Sequence, residues 1–285
     1  MKLPKSQSSS VNLKLILICS CTVLLLILIL RSTSSSSSST SSTSSDNVST
    51  AQELSLGSTE CTKIPPSLSE ALVHYATSNI TPQQTIQEIS VSLRILQKKS
   101  PCNFLVFGLG YDSLLWTSLN HGGLTVFLEE DKSWIQQIQT KFPSLTSHHV
   151  IYDTVLTQAD DLLSASLSDK ECTTVTNPLD SKCRLALKGL PKEVYEVEWD
   201  LIMVDAPTGY HDGAPGRMSA VYTAGLMARN REDGETDVFV HDVNRVVEDK
   251  FSKGFLCEGY LTQQEGRLRH FTIPSHRTRS RPFCP

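Results

Sequence analysis

Asp205 closes the apolar run Leu201–Val204 within Trp199-Asp200-Leu201-Ile202-Met203-Val204-Asp205-Ala206-Pro207. A carboxylate at the carboxyl end of a buried strand is costly unless paired or used, and open α/β sheets bind their ligands at that rim. A later apolar run ends in His241-Asp242-Val243-Asn244-Arg245, which brings Asp242 and Asn244 to the same rim. Asp205, Asp242 and Asn244 offer hard oxygen ligands to a divalent metal ion that would orient and polarise a hydroxyl group. Helix caps and ion pairs account for the same residues without a metal. Between the two runs, Thr208–Met218 (TGYHDGAPGRM) is Gly/Pro-rich and too polar for a core, as a substrate loop would be. His211 or Asp212 in that loop, with Asp205 at its foot, can take the proton of an alcohol, and Arg217 and Arg245 can grip an anionic carboxylate. Such a histidine is also commonly an ordinary surface residue.

A second group of residues suits a nucleoside. Gly108-Leu109-Gly110-Tyr111-Asp112-Ser113 follows the apolar run Asn103–Phe107, and its glycines let backbone N–H groups and a following helix approach a ligand. About 20 residues on, the run Leu124–Leu128 ends in Glu129-Glu130-Asp131, where a carboxylate can accept from two ribose hydroxyls. A dinucleotide would want a third glycine where Ser113 stands, so the short form suits S-adenosyl-L-methionine, which has no pyrophosphate. Gly108, Gly110, Asp112, Glu129 and Glu130 are thus the candidate cofactor residues. A plain tight turn and an acidic helix start are the alternatives.

These residues need a sheet to hold them. Runs at 103–107, 124–128, 149–152, 201–204, 238–240, 255–260 and 268–273 read as strands, separated by segments long enough for helices. The alternation predicts a doubly wound, mostly parallel α/β sheet, its last two runs forming an antiparallel hairpin. Thr81-Pro82-Gln83-Gln84 predicts a helix start, with Ile86, Ile89, Leu93 and Leu96 on one face and an end near Lys98-Lys99 before Ser100-Pro101. Ser113–Asn120 is the helix after the glycines.

The chain has 285 residues, a net charge of −4 and a pI of about 6.1, which suits one catalytic domain and excludes a general nucleic-acid footprint. Residues 1–14 read as a cytosolic tail and 15–31 as a membrane anchor, because Leu15–Leu30 carries no charge and Lys2, Lys5 and Lys14 precede it. A cleaved signal peptide is the rival reading, and both put residues 61–285 in the lumen of the secretory pathway. Residues 32–60, dominated by Ser and Thr, form a stem. Beyond the anchor lie Cys61, Cys102, Cys172, Cys183, Cys257 and Cys284, an even set in an oxidising compartment, with Cys172 and Cys183 the preferred pair across a short polar loop. Asn47 and Asn79 lie in glycosylation sequons. The basic stretch from Arg267 through Arg269, His270, His276, Arg277 and Arg279 to Arg281 is either a solvated tail or a rim that attracts an acidic polymer.

Asn103–Gly110, Leu119-Asn120-His121-Gly122-Gly123, Phe127-Leu128-Glu129-Glu130-Asp131 and Ala214-Pro215-Gly216-Arg217-Met218 together resemble the plant DUF579 family, over the whole of 61–285. Asp112-Ser113 and the Glu129–Trp134 run are most similar to the branch that methylates O4 of glucuronic acid side chains on xylan. That resemblance implies a class I, Rossmann-like S-adenosylmethionine-dependent O-methyltransferase with glucuronoxylan, an acidic polysaccharide, as its partner. It also implies residence in the Golgi membrane, as a single-pass protein with a lumenal domain alongside other xylan-synthesis enzymes. Sister branches act on arabinogalactan or carry no settled activity, so an arabinogalactan enzyme and a non-catalytic scaffold are the other readings, and an NAD-linked dehydrogenase is disfavoured by the missing glycine.

Overall fold

The computed structural model describes residues 64–279 and 281–285. The predicted tail, anchor and stem, with Asn47 and Cys61, lie outside them, and among the described residues no helix is long and apolar enough to cross a membrane. Strands β1 (Asn103–Phe107), β2 (Leu124–Glu129), β3 (Thr146–His149), β4 (Leu201–Val204), β5 (Glu235–Val240), β6 (Leu261–Glu265) and β7 (Leu268–Pro274) form one sheet in the order β3-β2-β1-β4-β5-β7-β6. Strands β1 to β5 are parallel, and β7 runs antiparallel between β5 and β6. The chain leaves β1 toward β2 on one side and returns to β4 on the other, so the carboxyl ends of β1 and β4 flank a topological switch point, the place where such sheets bind ligands. This is the doubly wound, mostly parallel arrangement the sequence predicts.

Alternation along β1 shows why both faces must be covered. Phe104 and Val106 pack with residues of α1 (Pro66–Thr77), α2 (Ile86–Lys99), α3 (Ser113–Leu119) and α4 (Lys132–Lys141). Leu105 and Phe107 point the other way, into a core shared with α5 (Ala159–Ser168), α7 (Lys192–Glu196), α8 (Met218–Asn230) and α9 (Val246–Phe251). Each such Phe contributes about 1.5–3 kcal/mol by leaving water. The short α6 (Lys170–Thr173) carries Cys172, which is bonded to Cys183 as expected, and Cys257 is bonded to Cys284. Among the described residues Cys102 has no disulfide partner; it is buried, with its Sγ donating to Asn120 Oδ1 at 3.3 Å.

The structure corrects four local expectations. Helix α2 starts later than Thr81-Pro82 suggests: Thr85 is its N-cap, accepting from the Glu88 amide at 3.3 Å while Glu88 Oε2 accepts from the Thr85 amide at 2.7 Å. This rotates the helix so that Val91, Ser92 and Leu96 are buried and Ile86 is exposed. Strand β3 precedes the expected 149–152. The run 255–260 is no strand but a helical segment, Ser252–Tyr260, packed under α8, and the hairpin partner of β7 is the polar edge strand Leu261–Glu265, which no apolar pattern announces. The basic stretch divides: Arg269, paired with Asp249, and His270, whose Nε2 lies 2.7 Å from Asp237 Oδ1, are buried, whereas Arg277, Arg279 and Arg281 are exposed.

Candidate active site

The glycine turn after β1 is held from three sides. Gly108 has φ +124°, and a Cβ there would lie 3.3 Å from Ala206 Cβ, so this left-handed, close-packed position favours glycine. At Gly110 a Cβ would meet Asp112 Oδ1 at 2.9 Å. The Leu109 amide donates to Glu129 Oε2 at 3.1 Å, the Leu109 carbonyl accepts from Trp134 Nε1 at 2.6 Å, and the Tyr111 carbonyl accepts from Tyr75 Oη at 2.6 Å. Tyr75 Oη in turn accepts from the Leu115 amide at 3.2 Å, satisfying a first-turn N–H of α3.

The carboxylates around this turn are perturbed. Burial, and next the neighbouring Glu130 carboxylate, push Glu129 up to about 7. Burial and the charge of Asp205 push Asp112, whose Oδ2 accepts from Trp116 Nε1 at 3.0 Å, up to about 6. Glu130 Oε1 accepts from the Thr208 amide at 2.9 Å and hydroxyl at 3.1 Å, which ties the end of β2 to the loop after β4. Glu130 Oε2 and Tyr152 Oη are buried without hydrogen-bond partners among the described residues. Acceptors at Glu129 and Glu130, an unpaired hydroxyl at Tyr152 and a backbone turn without side chains in the way suit an adenosine-type ligand.

Across the switch point lies a buried charge cluster. Asp205 Oδ1 is 2.9 Å from His241 Nδ1 and 3.1 Å from Arg217 Nη2, and Oδ2 accepts from Gln84 Nε2 at 3.2 Å. Against the cost of burial, the His241 hydrogen bond and the Arg217 charge hold its carboxyl below the usual carboxylate value. Asp242, at φ +60°, is the hub of the cluster: Arg217 and Arg245 each reach Oδ2 at 2.9 Å, and Arg267 reaches Oδ1 at 2.7 Å. Glu248 is fully buried, its oxygens without hydrogen bonds among the described residues and its Oε1 3.9 Å from Arg217 Nε and 3.8 Å from Arg245 Nη1, and burial raises its pKa.

Two sequence expectations change here. Arg217 is no substrate grip: it is 5% exposed, and its donors reach the Pro207 and His241 carbonyls as well as Asp205 and Asp242. Asn244 is exposed and takes no part in the cluster; the side chains that could converge on a cation are Asp205, His241 and Asp242. Arg217 Nη2 already stands between the two carboxylates, so this donor set as arranged does not fit a divalent ion. Arg245, 30% exposed, keeps a face toward solvent. The loop 208–217 is pinned at its base, where the Gly216 amide donates to the Thr208 carbonyl at 3.0 Å and the Thr154 hydroxyl to the Pro215 carbonyl at 3.0 Å. Its tip, with His211 and Asp212, is exposed, and among the described residues neither side chain bonds to the cluster.

His241, Gln84, Glu248 and Arg267 were not singled out for the site from sequence. His241 could have been, since it follows β5 as Asp205 follows β4. Gln84 gives no signal: it precedes α2 in an irregular segment and meets Asp205 across 121 positions of chain.

The family model for IRX15/IRX15L/GXM matches residues 87–271. The chain is 68% identical over 227 residues to Glucuronoxylan 4-O-methyltransferase 3 of Arabidopsis thaliana, covering 79% of this chain and 76% of that protein. Arabinogalactan O-methyltransferase 2 of the same plant is 52% identical, over 80% of this chain and 79% of its own length, and Protein IRX15-LIKE 39% identical, over 78% and 72%. With the glycine turn, the acidic end of β2 and the loop after β4 all inside the matched region, the chain belongs to the IRX15/IRX15L/GXM family.

Proposed function

We propose that the protein transfers a methyl group from S-adenosyl-L-methionine to O4 of the glucuronic acid side chains of glucuronoxylan. The observation that carries the reading is the juxtaposition, across one switch point, of the Gly108–Glu129 cradle with the Asp205 rim. The choice of xylan is supported by the higher identity to glucuronoxylan 4-O-methyltransferases, 66–68%, than to arabinogalactan O-methyltransferases, 52–55%.

Adenosylmethionine supplies an electrophilic methyl group. Glu129 and Glu130 would accept from its ribose hydroxyls, with the turn at Gly108–Gly110 beneath it, and Arg245 would meet the glucuronate carboxylate. Holding the O4 hydroxyl in line is the chain's main contribution. Asp205, ionised and held below the usual carboxylate value, would accept from that hydroxyl and orient it, and His211 or Asp212 would take the proton it loses; such assistance contributes about 10²–10⁴-fold. His211 and Asp212 would act from the loop tip on the sugar.

The setting is the Golgi lumen, behind an anchor at 15–31. The two disulfides among the described residues support an oxidising compartment. Protease protection of residues 61–285 in sealed microsomes tests this placement.

The test of function is incubation of the purified protein with methyl-labelled adenosylmethionine and glucuronoxylan, beside arabinogalactan and a Glu129→Ala control, with and without a divalent cation. Label on O4 of xylan glucuronate, lost in the control, is expected. Label on arabinogalactan alone would move the chain to the sister activity, and no label with no cofactor binding would leave a scaffold.

A further inference from the structure

Gln84 stands out among the buried polar groups because it comes from outside the region matched by the family model and reaches into the centre of the site. It is 4% exposed. Its carboxamide nitrogen donates to Asp205 Oδ2 at 3.2 Å and lies 3.7 Å from Met203 Sδ, while its oxygen is buried without a hydrogen-bond partner among the described residues. The orientation of the amide is chemically determined. Asp205 is ionised between His241 and Arg217, so it only accepts, and the NH₂ end must face it. The oxygen is thereby turned away from the protein's own donors. A buried acceptor left open costs about 1–3 kcal/mol, which is tolerated where a ligand completes it.

The position of Gln84 is also rigid. Arg267 Nη2 donates to the neighbouring Gln83 carbonyl at 2.6 Å while Nη1 holds Asp242, and the Thr85–Glu88 capping box fixes the backbone on the other side. The Arg267 amide donates to Glu88 Oε1 at 2.7 Å, closing the brace. One end of this firmly held side chain thus lies on the rim carboxylate Asp205, and the other is an acceptor without a donor among the described residues.

We propose that Gln84 Oε1 accepts a hydrogen bond from a hydroxyl of the acceptor sugar adjacent to the one that is methylated, making Gln84 a specificity-determining contact for the polysaccharide. The inference rests on the methyltransferase reading and adds a substrate contact from the segment before α2. It divides the labour at β4: Asp205 orients the hydroxyl that reacts, and Gln84 sets the rotation of the ring that presents it.

The test compares the full-length protein with Gln84→Met, which keeps the length of the side chain and removes both polar atoms, using glucuronoxylan oligosaccharides at saturating adenosylmethionine. Acceptor KM should rise so that kcat/KM falls about 10–100-fold, the range for one buried group left unpaired. Adenosylhomocysteine affinity by calorimetry and the unfolding midpoint should match the unaltered chain. A fall in kcat at constant acceptor KM, with a displaced acid limb of the pH profile, would show that Gln84 acts only through Asp205 and overturn the contact. Weakened adenosylhomocysteine binding would move Gln84 to the donor site, and unchanged kinetics would remove it from the site; either overturns the proposal. If the unaltered chain transfers no methyl group, the functional reading fails and this inference with it, whereas an active chain indifferent to Gln84→Met sinks this inference alone.

Discussion

Arg217 donates through Nη2 to Asp242 Oδ2 at 2.9 Å, with the arginine side chain 5% and the carboxylate 6% exposed. The pair lies at the foot of the loop 208–217, and Asp205 and Glu248 approach the same guanidinium. Removing one member of a buried pair leaves an uncompensated charge, at a cost of about 3–5 kcal/mol. Arg217→Met should therefore lower the unfolding free energy by that amount in a urea titration, with Arg217→Lys recovering part of it. A stable Arg217→Met whose only defect is a raised acceptor KM would return this residue to a substrate role.

Glu129 sets a pH dependence. Its carboxyl is raised from 4.5 to about 7 by burial and the adjacent Glu130. Between those values the folded chain holds a proton that the unfolded chain releases, so this group favours folding at low pH and loses that contribution as pH rises through the window. Donor binding has the opposite sense, because a ribose hydroxyl needs the ionised acceptor. Adenosylhomocysteine affinity should weaken as pH falls below about 7, and Glu130→Gln should displace the midpoint downward. A flat affinity from pH 5 to 8 would remove Glu129 from the donor site.

Arg245 carries the acceptor's charge in the proposed complex. Arg245→Ala should raise acceptor KM about 10-fold or more, in line with a lost charge-assisted contact of roughly 1.5–3 kcal/mol, while donor affinity holds. Arg245→Lys should restore the charge but not the fork. Competition by free glucuronate, weakened in Arg245→Ala, gives an independent reading.

The Cys172–Cys183 disulfide spans 11 residues of sequence and anchors α6 beside α8, where Tyr222 Oη donates to the Cys172 carbonyl at 3.1 Å. Cys172→Ser with Cys183→Ser should cost about 2–4 kcal/mol, measured as a lower denaturation midpoint. Adenosylhomocysteine affinity at low temperature should change little, because the bridge lies outside the rim.

Much of this protein is legible in its sequence, wherever a local pattern has a single physical outcome. Parallel strands buried on both faces must be continuous apolar runs, so β1, β2 and β4 stand out, and the glycine turn and Glu129 follow from their ends. The pairing of Cys172 with Cys183 is local as well. Patterns with two outcomes misplace their elements. Thr81 with Gln84 three residues on carries a cap pattern, yet the helix starts at the Thr85–Glu88 box; Leu261–Glu265 is polar because an edge strand faces water, and so reads as loop. The chemistry of the rim belongs to tertiary structure. Whether Arg217 grips a ligand or neutralises Asp205 and Asp242, and whether Gln84 faces solvent or a carboxylate 121 positions away, depends on which charges the fold encloses together. Coulomb and desolvation energies are set by distance in space and by burial, and neither is encoded in the spacing of residues along a chain.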